Sequence, residues 1–207
     1  MANKTYHSPI GTLAFGSLTI TEPDLSDRMV WHGSMRFPNE AIGPLADAID
    51  EAIAEYRKAD PSFPEDVTKL QLPLKPAQDK DPENPDGERI ESKTETIVKF
   101  VRKLEWKERK TGKVHQRSAP TIYDAAGTVC NETVGEVGWG STGRMYFKAI
   151  AYDFKGKKGV SFALEGFQIK ELKTKDAGIT AAPIEGGWIA PPSNEVDMAD
   201  MAAMLAD

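Results

Sequence analysis

The stretch between residues 137 and 172 constrains the fold of this chain most, because it alternates like a strand, turns at glycines and alternates again. Successive side chains of an extended strand point to opposite faces, and residues 144–154 divide into two such sets. One set is small or apolar: Met145, Phe147, Ala149 and Ala151. The other set combines cations with rings: Arg144, Tyr146, Lys148, Ile150, Tyr152 and Phe154. The pattern predicts a strand with one core face and one face of unusual chemistry.

The mixed face of that strand has two interpretations. Cations interleaved with flat rings suit a protein that binds single-stranded nucleic acid, because cations meet phosphates and rings stack on bases of any sequence. The other interpretation is an edge strand whose tyrosine hydroxyl groups reach water. Burial of this face in a core is disfavoured, since its cations would be buried without partners.

A basic turn follows at residues 155–159, and a second strand begins at Val160. The apolar positions of this strand change parity at Gly166, from residues 160–164 to residues 167–169. A glycine at a parity change marks a β-bulge or a bend, the device by which strands curl into small barrels. The two strands therefore predict the closing hairpin of a small β-barrel.

The rest of the chain contributes three further strands, a partner strand that begins at Val114 after a hairpin tip at residues 109–113, and one helix. Alternation predicts the strands over residues 11–20, 28–37 and 96–106. The helical spacing of apolar residues after Pro44 predicts a helix of about four turns that ends near Ala59 and covers one end of the barrel. Between residues 61 and 91, six prolines and many charges predict a loop or an extended excursion.

The net charge of −6 alone argues against a nucleic-acid partner. The distribution of the charges along the chain reverses that argument. Residues 176–207 contain six acids and no lysine or arginine, so the preceding residues are neutral overall. Residues 99–117 contain eight basic and two acidic side chains. A charged run alone is more often a solvated face, but together with the mixed strand it indicates one electropositive groove.

Ten residues are candidate contacts to DNA, because they supply either a cation or a ring on the predicted basic strands: Arg28, Trp31, Lys99, Lys103, Trp106, Lys107, Arg144, Tyr146, Lys148 and Tyr152. Lysine and arginine would neutralise phosphates, and the aromatic rings would stack on bases. Trp31 has a competing interpretation as a core residue, since its parity is opposite to that of Arg28.

No catalytic residue, metal site or cofactor is expected. The glycines at residues 138–143 are similar to a phosphate loop, but the Walker pattern requires Lys-Ser/Thr where this chain has Arg144-Met145. The three histidines are scattered, and a single cysteine, Cys130, excludes an internal disulfide and a cysteine-based zinc cluster. The chain shows neither an apolar run that could span a membrane nor a secretory leader, so we expect an intracellular protein.

Several motifs, in their order and spacing, resemble the single-stranded DNA-binding proteins of short-tailed bacteriophages that encode their own replisome. The resemblance covers most of residues 5–175. It is carried by Ser8-Pro9-Ile10-Gly11-Thr12, the turn at residues 21–24, Leu72-Pro73-Leu74-Lys75-Pro76, the lysine-rich hairpin at residues 107–113, the glycines at residues 138–141, and residues 159–172.

The resemblance implies an OB-fold-like five-stranded barrel with one capping α-helix, in a mainly β protein that forms homodimers. It implies a role in phage DNA replication and recombination, within the cytoplasm of the host. By position, Arg28, Tyr146 and Tyr152 are similar to family residues implicated in DNA binding. The alternative function is that of an accessory or structural β-barrel protein that does not bind nucleic acid.

The predicted organisation is a DNA-binding domain at residues 1–175 followed by a disordered acidic tail at residues 176–207. The resemblance implies that the tail contacts the phage DNA polymerase and helicase-primase. Apolar residues near its end share one helical face and offer a partner-binding handle. The candidate partner-binding residues are Asp197, Met198, Asp200, Met201, Leu205 and Asp207.

Overall fold

The computed structural model describes residues 4–80, 84, 87–108 and 111–174. Within these residues the α-helix α1 is Gly43–Ala59, and two short 3₁₀ helices are Asn39–Ala41 and Val67–Lys69. The strands are β1 (Tyr6–His7), β2 (Gly11–Pro23), β3 (Met29–Pro38), β4 (Leu74–Asp79), β5 (Ile90–Lys103), β6 (Glu105–Lys107), β7 (Val114–Gln116), β8 (Thr121–Tyr123), β9 (Thr142–Phe154) and β10 (Lys157–Glu171).

Five strands close into a ring in the order β2, β3, β5, β10, β9 and back to β2. Neighbouring strands are antiparallel, except that β5 and β10 are parallel. The ring closes where Gly11 and Thr12 of β2 pair with Gly143 and Thr142 of β9. These five strands are the ones that alternation predicts, so the prediction of a mainly β fold with a closed set of five strands and one helix is confirmed.

Phenylalanine side chains from all sides fill the interior of the ring. Phe37, Phe100, Phe147 and Phe162 are at most 1% exposed, and the rings of Phe147 and Phe162 lie 4.3 Å apart. Helix α1 buries Leu45, Ala48, Ile49 and Ile53, whose spacing forms one helical face. This buried face makes α1 part of the same core, as the predicted capping role requires.

The bulge predicted at Gly166 is confirmed by a register shift between β9 and β10. Leu164 pairs with Phe147 and Gly166 pairs with Tyr146, so Glu165 has no partner opposite to it on β9. A Cβ atom on Gly166 would lie 2.6 Å from the carbonyl oxygen of Thr121, which requires glycine at this position. The extra residue bends β10 and lets its second half pair with β8.

The excursion at residues 61–91 is more regular than its composition predicts, because it supplies backbone partners to the ring. The backbone N–H group of Gln71 donates to the carbonyl oxygen of Lys158, and Val160 donates back to Gln71, each at 2.9 Å. Strand β4 then pairs antiparallel with β5, and β5 itself begins at Ile90, earlier than the alternation indicates. Within the described residues, no helix is both long enough and apolar enough to cross a membrane.

Candidate nucleic-acid interface

Strand β9 separates its side chains as the alternation predicts. Met145 and Phe147 are fully buried inside the ring, whereas Ile150 and Phe154 on the opposite face are 44% and 61% exposed. The cations and tyrosines of this second face are half-buried. The mixed set of rings and cations therefore lies on the outside of the ring, accessible from solvent.

Strand β10 contributes only small side chains to the middle of the same outer face. Gly159, Ser161 and Ala163 lie opposite Tyr152, Ile150 and Lys148 of β9, respectively. On the other side of β10, Ala163 pairs with Val101 of β5, whereas the backbone N–H group of Lys99 donates to the carbonyl oxygen of Pro73 and Gly159 is bridged to Gln71. Lys99 and Ser161 are exposed.

This arrangement is a shallow groove with a low floor between two higher walls. Because neighbouring strands lie about 4.8 Å apart, the walls on β5 and β9 are roughly 10 Å apart at Ala163, where both strands pair with β10, and Gln71 of the excursion flanks β10 at Gly159. We call it the outer groove; its floor is Gly159, Ser161 and Ala163, one wall is Lys99 and Val101, and the other wall is Lys148, Ile150 and Tyr152.

The ring of Tyr152 is held against the floor of the outer groove. Its hydroxyl group donates a hydrogen bond of 3.2 Å to Oε1 of Gln71. A Cβ atom on Gly159 would lie 2.3 Å from the backbone carbonyl oxygen of Gln71 and 2.8 Å from the hydroxyl oxygen of Tyr152, so glycine is required at this position. The excursion thus positions a ring in the groove through a residue, Gln71, that lies 81 positions away in sequence.

Tyr146 lies further along β9, about 20 Å from Tyr152 for six residues of strand. Its hydroxyl group donates to Oε1 of Gln168 at 3.1 Å, and its ring packs edge-on against the rings of Tyr123 and His7. Beside it, Arg144 lines a cavity of about 130 Å³ together with Gln168 and Lys170. Base stacking by Tyr146 stays a prediction, since neighbouring rings already pack against it.

The cations of the outer groove differ in their surroundings. Lys99 is exposed at one wall, whereas Lys148 lies 3.7 Å from a carboxylate oxygen of Glu165. The other carboxylate oxygen of Glu165 accepts from Arg102 at 2.9 Å. A single acidic side chain therefore pairs with two basic ones at the edge of the groove.

A second group of cations lies where β5 ends, next to the turn between β2 and β3. Partial burial, and the positive charges of Arg28 and Arg117, lower the pKa of the Lys103 ammonium group. Arg28 donates to Oδ2 of Asp24 from Nε and Nη2, at 2.9 and 2.6 Å, and these bonds hold the pKa of Asp24 at about 2. The carboxylate thus offsets part of the positive charge that Arg28 offers.

The hairpin of β6 and β7 presents one ring beside these cations. The indole of Trp106 is 40% exposed and stacks on the ring of His115, with centroids 4.6 Å apart and planes 14° apart. Lys107 follows on the same exposed strand. One face of the indole is therefore covered by His115, and stacking on a base would use the other.

Trp31 is the one predicted contact that its position contradicts. It is only 6% exposed and belongs to the core, because it shares the inward face of β3 with Gly33, Met35 and Phe37. Trp31 and Arg28 have opposite parity on the chain, and the parity of Trp31 points its indole toward the interior of the five-stranded ring. The prediction of Trp31 as a base contact is wrong.

Several accessible residues of this surface are absent from the sequence-based set. Phe154 is 61% exposed, and Nζ of Lys155 lies 5.5 Å from the centroid of its ring. Phe154 lies on the same face of β9 as Tyr152, so the alternation alone is sufficient to identify it as a candidate contact. Gln71 and Glu165 carry no pattern that points to the groove, because their contacts depend on the folded excursion and on the bulge. The six tail residues predicted to bind partners lie outside the described residues.

The fold is similar to those of phage single-stranded DNA-binding proteins, which confirms the resemblance at the level of architecture. The crystal structure of gp2.5, encoded by bacteriophage T7, matches with a TM-score of 0.57 and 22% identity, over 92% of this chain and 100% of that chain. The protein from bacteriophage Enc34 in complex with single-stranded DNA matches with a TM-score of 0.53 and 13% identity, over 82% and 88%. No family model matches the chain, and no curated protein matches its sequence.

Proposed function

We propose that this chain binds single-stranded DNA, without catalysis, in phage DNA replication and recombination. The outer groove is the observation that carries the proposal. In this proposal Lys99 and Lys148 contact phosphates from the two walls, and the ring of Tyr152 stacks on a base. The proteins of similar fold from bacteriophages T7 and Enc34 are single-stranded DNA-binding proteins, which supports the same function here.

The low floor of the groove is what makes it fit an unpaired strand. Small side chains at Ser161 and Ala163 let bases approach the sheet between the walls, next to the ring of Tyr152 that covers Gly159. In a duplex the bases are stacked on one another inside the helix, so the rings of the groove cannot reach them. The groove therefore favours a single strand over a duplex of the same length.

The organisation that the resemblance implies completes the proposal. Residues 1–175 would form the DNA-binding domain of a homodimer, and residues 176–207 an acidic tail that recruits the phage DNA polymerase and helicase-primase inside the host cell. The charge supports this division, since the tail carries the whole net charge of −6.

Fluorescence anisotropy with a labelled oligothymidylate tests the function directly. We expect tighter binding of the single strand than of a duplex of equal length. Ser161→Glu places a carboxylate on the floor of the outer groove, and repulsion of phosphates should weaken binding about tenfold or more. Ala46→Glu adds the same charge on the exposed side of α1 and should leave affinity nearly unchanged. Equal binding by both variants would contradict the use of the outer groove.

Removal of residues 193–207 tests the tail. The truncation deletes four acids, so repulsion of DNA phosphates should decrease and oligonucleotide binding should tighten, most visibly at low salt. It also deletes Met198, Met201 and Leu205, so pull-down of the phage polymerase by the truncated protein should fail. A truncated protein with unchanged affinity at low salt that still retains the polymerase would exclude both roles of the tail.

A further inference from the structure

Glu165 is an anion at the edge of the proposed DNA-binding groove, where it contacts two cations at once. Its Oε2 accepts from Nη1 of Arg102 at 2.9 Å, and its Oε1 lies 3.7 Å from Nζ of Lys148. The three side chains are 29%, 13% and 30% exposed for Glu165, Arg102 and Lys148, respectively. Glu165 and Lys148 are therefore reachable from solvent, whereas Arg102 is mostly covered and would meet an incoming anion at the position that the carboxylate of Glu165 occupies.

The bulge explains how the side chain of residue 165 can reach two cations on different strands. Glu165 is the extra residue of β10, without a partner on β9, and Gly166 fixes the bend that follows. A bulge re-aims the side chain of the strand that carries it. Here the carboxylate bridges Arg102 of β5 and Lys148 of β9, on the two sides of β10.

Arg102 is held in place by more than Glu165. Its Nε–H group donates to the carbonyl oxygen of Ser118 at 2.9 Å, and Nη1 also donates to the carbonyl oxygen of Leu164 at 3.2 Å. These backbone acceptors fix the guanidinium group whether or not a carboxylate is present. Loss of the negative charge at residue 165 would therefore leave a positioned cation with its charge uncompensated.

We propose that Glu165 is a built-in mimic of a backbone phosphate, which occupies Arg102 and Lys148 in the free protein and is replaced there by a phosphate of bound DNA. The inference rests on the proposed function and assigns Arg102 to the binding surface. Carboxylate and phosphate are the two anions that arginine binds with the same geometry, so they compete for one position. Glu165 thereby limits affinity and eases release of the strand.

Glu165→Gln is the decisive variant, because glutamine keeps an acceptor for Arg102 and removes only the charge. We expect it to bind a labelled oligothymidylate roughly twofold to tenfold more tightly at low salt, the range given by the loss of two partly exposed ion pairs. The gain should shrink as salt increases, since salt screens the freed cations. Thermal unfolding of the variant checks that the fold is kept.

Asp47→Asn is the matched control, because it removes the same charge from an exposed position on α1. It should change affinity far less than Glu165→Gln. A second test is the Lys148→Gln background, where the gain from Glu165→Gln should be smaller because one of the two freed cations is missing.

The possible results distinguish a failure of the inference about Glu165 from a failure of the proposed DNA binding. If Glu165→Gln binds no more tightly than Asp47→Asn, or binds more weakly than the wild type, Glu165 does not compete with phosphate and the inference is wrong. If the wild-type protein itself binds no oligonucleotide, the proposed function is wrong, and the role of Glu165 is rejected with it.

Discussion

An increase in salt from 50 to 500 mM should weaken the binding of an oligothymidylate about a hundredfold. The expectation follows from three lysines, Lys99, Lys103 and Lys107, which lie on successive strands β5 and β6. If each neutralises one phosphate of a single strand, log affinity falls linearly with log salt at a slope of about −0.7 per phosphate, or about −2.1 for three, and a phosphate contact by Lys148 would make the slope steeper. Anisotropy titrations at five or six salt concentrations measure this slope.

Variants with one lysine replaced show which residues contribute to the slope of log affinity against log salt. Lys99→Gln should weaken binding at low salt and reduce the slope by about 0.7, because one phosphate contact is lost. Lys58→Gln removes the same charge from the exposed end of α1, where its partner is Glu55, and should leave the slope unchanged. A wild-type slope near zero would exclude phosphate contacts as the source of affinity.

The direction of β5 predicts the path of a bound DNA strand across the protein. Lys99 belongs to a wall of the outer groove, and Lys103 lies four residues further on, about 13 Å away along the strand. Trp106 then presents its free face on the hairpin of β6 and β7. A nucleotide chain laid along β5 would therefore pass from the ring of Tyr152 toward that of Trp106. Lys99 and Lys103 would lie along this path.

The fold was predictable from local patterns wherever one face of a strand is apolar. The alternation of residues 144–154 fixes which side chains of β9 are buried, and the parity change at Gly166 locates the bulge of β10. Both features are local, because a strand has a period of two and a bulge breaks that period within one residue. The ring of five strands follows from these patterns and from the resemblance.

The details of the site were less predictable, because they depend on contacts between distant segments. Gln71 reaches Tyr152 only since the polar excursion folds back on β10. Arg102 and Glu165 are 63 residues apart, and no sequence pattern around either residue predicts their ion pair. Trp31 shows the opposite case, in which composition favoured a binding role and parity on β3 correctly favoured the core.

Removal of the two rings at the end of β9 should abolish most of the affinity that does not depend on salt. Tyr152 is held flat by Gln71 and Gly159, and Phe154 is 61% exposed on the same face of the strand. Each base–ring stack contributes about 1–3 kcal/mol, so the double variant Tyr152→Ala/Phe154→Ala should lose about 2–6 kcal/mol of binding free energy. At the lower end this is roughly a thirtyfold increase in Kd.

Three comparisons make that result specific to stacking. Tyr152→Phe keeps the ring and loses only the bond to Gln71, so it should bind nearly as tightly as the wild type. Trp139→Ala removes a ring that is 66% exposed but hydrogen-bonded to β2, away from the groove, and should have no effect. The loss in the double variant should persist at high salt, because stacking, unlike phosphate contact, releases few ions. A folded double variant with wild-type affinity would show that the outer groove does not stack bases.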